Sequence, residues 1–140
     1  MQNDVRAGIF PVKAGEDLTG KEDYLVVLSH TAGVPEVNLP TAITDHALYV
    51  LISAGTSGAV VSVAPLSPEK TYRVPIKGGC NPGDRLCLAD VSVAADKGKV
   101  RAVPEDAGDY RTFARAESLS TDGNLAKIRP AGVETITVAG

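Results

Sequence analysis

The sequence predicts an all-β fold, a small β-barrel or sandwich with little or no helix. Three observations predict it. Short apolar stretches recur between turn residues, with fourteen Gly and nine Pro supplying the breaks. The apolar residues, 44% of the chain, are mainly Val and Ala, with no Trp and only two Phe. Such small and β-branched side chains suit a pleated surface. No stretch keeps a helical period over three turns.

The elements are taken in chain order. Residues 1–22 have sparse apolar content, with Phe10-Pro11-Val12 as the single anchor. They read as an extended arm ahead of one β-rich domain over residues 23–140. Tyr24 to Leu28 is a continuous apolar run, as expected of a strand buried on both faces. Thr31 to Asp45 contains Pro35 and Pro40 and reads as a long loop. Ala47 to Ile52 and Gly58 to Pro65 read as further strands. In Thr71 to Lys77, Tyr72, Val74 and Ile76 share one face, with Arg73 and Lys77 on the other. Asn81-Pro82-Gly83-Asp84 is a turn, with Pro presetting φ and Gly supplying the positive φ. Arg85 to Ala89 is a strand. Lys97-Gly98-Lys99 turns into Val100 to Val103. Tyr110 to Ser118 is the longest alternating stretch. Asp122-Gly123 makes a hairpin between it and Leu125 to Arg129, and Glu134 to Val138 closes the domain as a separate strand.

A chain of 140 residues can bury a core without staples. The formal net charge of −3 argues against nucleic acid as the main partner, since phosphate binding needs a basic surplus. No apolar run approaches the ~20 residues of a membrane span. The polar start, Met1-Gln2-Asn3-Asp4, lacks the pattern of a secretory signal, pointing to a cytoplasm-like compartment. Cys80 and Cys87 flank a turn. In a reducing compartment they read as small residues filling a strand pair, ahead of a disulfide or a metal site.

Motifs for chemistry are weak. Gly55-Thr56-Ser57-Gly58-Ala59 nearly matches a nucleophile elbow, but Ala59 replaces the second Gly and a Val-rich strand follows where a helix is required. A β-barrel hydrolase would need His30 or His46 to converge with Ser57 and a carboxylate. The acidic pairs Glu16-Asp17, Glu22-Asp23 and Glu105-Asp106 read as solvated turns. The expectation is therefore a protein that is not an enzyme, carries no cofactor and no metal, and binds other protein surfaces. One strand face, Arg111, Phe113, Arg115 and Glu117, mixes an aromatic with two arginines and an acid, which suits a subunit interface.

Several pieces in order resemble one family. They are Phe10-Pro11-Val12-Lys13-Ala14-Gly15-Glu16-Asp17-Leu18-Thr19-Gly20-Lys21, Asn81-Pro82-Gly83-Asp84-Arg85-Leu86, Lys97-Gly98-Lys99-Val100-Arg101-Ala102, Gly108-Asp109-Tyr110-Arg111, Asp122-Gly123 and Lys127-Ile128-Arg129-Pro130. Together they resemble the head decoration (cement, or capsid-stabilising) proteins of tailed bacteriophages. The resemblance implies a homotrimer on the outer surface of the phage head, made in the host cytoplasm, that stabilises the shell by bridging subunits of the major capsid protein. It brings no catalytic residues, no nucleic-acid partner and no membrane. The arm residues Phe10, Val12 and Lys13 would then hold the capsid. A head–tail or tail adaptor ring is the alternative among virion parts. The loop over Thr31 to Asp45 and the Cys80/Cys87 pair have no match in the family pattern.

Overall fold

The computed structural model describes residues 8–45 and 48–140. It is all-β apart from one 3-10 turn at Ala94–Asp96. The strands are β1 (Phe10–Ala14), β2 (Leu25–Thr31), β3 (Val34–Asn38), β4 (Leu48–Ser53), β5 (Val60–Pro65), β6 (Tyr72–Pro75), β7 (Arg85–Leu88), β8 (Val100–Ala102), β9 (Gly108–Ala116) and β10 (Leu125–Val138). The first five close a barrel in the order β1-β3-β2-β4-β5; the last five form a second sheet in the order β6-β10-β9-β7-β8. A parallel bridge between Ile76 and Val100 draws the two edges of the second sheet together.

The apolar run at the start of β2 explains how the two sheets join. Side chains alternate across a strand, and here both faces are covered. Val26 points into the barrel with Val37, Leu51, Val61 and Val63. Leu25 points outward into a second core with Val74, Ile76, Leu86, Phe113 and Ile128. β4 divides in the same way, sending Leu51 inward and Leu48 and Val50 outward. The strand buried on both faces, expected from sequence, is thus the wall shared by two cores.

A backbone contact reinforces the seam. The Leu25 N–H donates to the Gly98 carbonyl at 2.8 Å. Gly98 sits at φ +85°, and a Cβ there would lie 2.7 Å from the Leu25 carbonyl oxygen. Only glycine meets both conditions without strain.

Three expectations are corrected. The arm expected over residues 1–22 does not describe residues 10–22. β1 pairs antiparallel with β5 and parallel with β3, and Phe10, Val12, Ala14 and Leu18 pack in the barrel interior. A closed barrel needs a strand between β3 and β5, and the sparse apolar residues of this segment fall where a two-residue period places them on one face. Residues 1–7 lie outside the described residues. Second, the loop expected over Thr31 to Asp45 contains β3, a hairpin partner of β2 through a two-residue turn at Ala32 (φ 50°) and Gly33 (φ +83°). Pro35 is tolerated because it precedes the stretch of β3, Glu36 and Val37, that pairs with β1. Third, Leu125 to Arg129 and Glu134 to Val138 are one long strand. It carries a bulge, its register against β9 stepping from Pro130–Ala114 to Glu134–Thr112.

The turn expectations hold. Asp84 N–H donates to the Asn81 carbonyl and Gly83 takes φ +91°. Asp122-Gly123 lies between the antiparallel strands β9 and β10. Asp122 also accepts the Gly78 N–H at 2.7 Å, tying that connection to the end of β6.

Candidate interaction site

The bulge decides what β9 exposes. Opposite β7, the register steps from Leu86–Ala114 to Cys87–Thr112, so Phe113 is skipped, as it is opposite β10. An unpaired residue reverses the alternation on either side of it. Phe113 and Ala114 therefore both enter the shared core. Arg111 lies on the barrel side, donating to the Thr44 carbonyl at 2.8 Å. Arg115 and Glu117 lie on the outer face of the sheet. The single face expected for Arg111, Phe113, Arg115 and Glu117 is thus divided, and Phe113, 7% exposed, is withdrawn from the surface. The missed signal was Pro130-Ala131-Gly132, since a glycine within a strand pattern marks a bulge.

Outward-facing residues of the second sheet follow from the same parity. Val74, Ala126, Ile128, Ala114, Ala116 and Leu86 face the core. Their neighbours Arg73, Lys127, Arg129, Arg115 and Arg85 face out. Cross-strand register brings them side by side: Arg73 opposes Lys127, and Arg115 stands between Arg129 on β10 and Arg85 on β7. Two carboxylates share this face. Glu117 accepts from Arg129 Nε at 2.6 Å and from its NH2 at 3.4 Å. Glu134 accepts from Arg85 at 2.6 Å. Among the described residues Arg115 meets no carboxylate and donates to the Gly83 carbonyl at 3.3 Å. The Arg129 guanidinium holds the Glu117 carboxyl below the usual glutamate range, and Glu117 raises Arg129 in turn.

The residues expected to grip a partner from the arm are used within the chain. Phe10 packs edge-to-face on Tyr49, with ring centroids 5.6 Å apart. Val12 is buried, and only Lys13 of the three is exposed. His30 caps the β2–β3 turn, its Nδ1 accepting the Gly33 N–H at 3.0 Å. Ser57 lies on the β4–β5 connection, which is strapped to β1 by Ala14 N–H to the Ala59 carbonyl and Gly58 N–H to the Ala14 carbonyl. His46 lies outside the described residues. Cys80 and Cys87 are free and buried, and burial pushes both thiols up. Among the described residues no group of His, Cys, Asp and Glu is arranged to hold a metal ion.

No protein-family model and no curated protein matches the sequence. Among solved structures, the fold is similar to the N-terminal base of the head fibre protein gp8.5 of bacteriophage phi29, with a TM-score of 0.65. That match has 17% identity and spans 88% of this chain and 92% of the other. The two share an all-β architecture, seen here as a closed five-stranded barrel with a second five-stranded sheet.

Proposed function

We propose that this chain is a structural protein of a tailed-phage head, a trimeric decoration protein that binds the outer surface of the shell and stabilises it mechanically. The observation that carries this reading is the fold likeness to a head fibre base across most of both chains. The ordered sequence resemblance to decoration proteins points the same way. The physics is compatible. A closed barrel fused to a second sheet is stiff, and a ligand that binds only the assembled shell stabilises it by mass action. Three copies bridging several coat subunits multiply weak contacts into avidity. The role is non-enzymatic and needs no cofactor. The protein would be made in the host cytoplasm, with the major capsid protein as its partner.

Purified heads lacking the protein provide the test. They should release DNA at a lower temperature than decorated heads, and adding the protein back should restore the difference without any cofactor. Native mass spectrometry should find a trimer. Equal release temperatures with and without bound protein would refute the cementing role. A second reading is favoured by the neighbour being the base of a fibre: the domain would anchor a projecting appendage. Imaging separates the two, since a cement protein forms compact knobs and a base carries an extended fibre.

A further inference from the structure

We propose that the outer face of the second sheet is a docking face for a carboxylate-rich protein surface, with Arg115 at its centre. The face is basic on a chain whose formal net charge is −3. Arg73, Lys127, Arg129, Arg115 and Arg85 form one patch across four adjacent strands, a face they share with Glu117 and Glu134. Like charges directly opposite each other across a sheet are destabilising. The row Arg129–Arg115–Arg85 sets three together, and the two carboxylates neutralise only its ends. Among the described residues the central guanidinium meets no carboxylate, and its donors can hold a partner carboxylate in a two-pronged geometry.

Two further features favour a protein over a nucleic acid. Glu117 and Glu134 flank the basic row at its two ends, and each would repel a phosphate backbone. At one end of the same face, Leu119 (73% exposed) and Leu125 (45% exposed) rim a hollow of about 250 Å³ with Arg73, Ser118, Ser120 and Lys127. Arginine beside exposed apolar side chains is a protein-interface composition. On a phage head, if the proposed function holds, this is the face turned toward the shell.

The test has two arms, each comparing wild type with Arg115→Glu and with Lys21→Glu, a partly exposed lysine on the β1–β2 connection. The first arm measures binding to poly-L-glutamate and to duplex DNA of matched charge. The second measures binding to purified heads lacking the protein. Arg115 is exposed and flanked by like charges, so melting temperatures no lower than that of wild type should confirm that both variants fold. Arg115→Glu should weaken binding to poly-L-glutamate and to heads by about tenfold or more, and Lys21→Glu by less than about twofold. Binding should also fall as salt rises from about 50 to 300 mM. The docking face is wrong if wild type binds heads and Arg115→Glu binds them equally well, or if DNA binds as tightly as poly-L-glutamate. If wild type binds poly-L-glutamate through Arg115 but does not bind heads, the face stands and the phage-head reading fails.

Discussion

The two halves of the molecule use the same structural element for opposite ends. The barrel closes on itself, so its strands present no edge, and its buried side chains are almost all aliphatic. The second sheet contributes one face to the shared core and leaves the other polar and basic. Charge pairing follows this division. Arg85–Glu134 and Arg129–Glu117 both lie on the second sheet's outer face. The barrel turns its buried side chains inward, while the second sheet, its edges joined by the bridge between Ile76 and Val100, leaves the charged outer face exposed. The seam between them, built by Leu25, Leu48, Val50 and the Gly98 carbonyl, is what makes one rigid support of two sheets.

Substitutions should separate these roles. The largest effect is expected in the barrel. Leu51 is fully buried, and Leu51→Ala should cost about 2–5 kcal/mol of stability by lost burial and a residual cavity. Urea denaturation would measure it. An effect below about 1 kcal/mol would mean that the barrel interior repacks freely and is not the rigid half. Gly98→Ala should come next. The left-handed backbone alone costs a non-glycine residue about 1–2 kcal/mol, and the close approach to the Leu25 carbonyl adds to it. Native-state hydrogen exchange at the Leu25 amide should rise in that variant. Unchanged exchange would show that the seam does not depend on this hydrogen bond.

How much of this was legible in the sequence depended on how local the cause was. The doubly buried start of β2 was visible because Leu25-Val26 needs apolar cover on both sides. Turns at Asn81–Asp84 and Asp122-Gly123 were visible because their backbone angles are set by the residues themselves. β1 was not, since its membership depends on pairing with Val60 to Val63, about fifty residues away, and Pro11 and Gly15 disguise a short alternating run. β3 was hidden behind Pro35. The candidate face was half legible. Arg115 and Glu117 are both exposed, but strict alternation joined them to Phe113 and Arg111 in one face expected as a subunit interface. The signal for the bulge stands on the facing strand, at Pro130-Ala131-Gly132, and not within Tyr110 to Ser118 itself. The basic row itself was invisible, because Arg85, Arg115 and Arg129 meet only through the strand order β10-β9-β7.

The smallest expected effect is a pH dependence on the outer face. Glu117 has its pKa lowered in the folded chain by Arg129. Its contribution is therefore fully present above the unfolded glutamate value of 4.5 and is lost as pH falls through the lower folded value. Because the pair is exposed, Glu117→Gln should change stability only slightly at neutral pH, and the difference between variant and wild type should vanish in acid. Thermal melts at pH 7 and below pH 3 would show it. A gap that widens in acid would reverse the sign of the linkage.

The most direct test of the account is the position of this protein on purified particles, seen by electron microscopy. The account predicts compact trimeric density on the outer surface of the head, with the outer face of the second sheet against the shell and the barrel away from it. Density confined to a six- or twelve-fold ring between head and tail, or particles that lack the protein altogether, would contradict it.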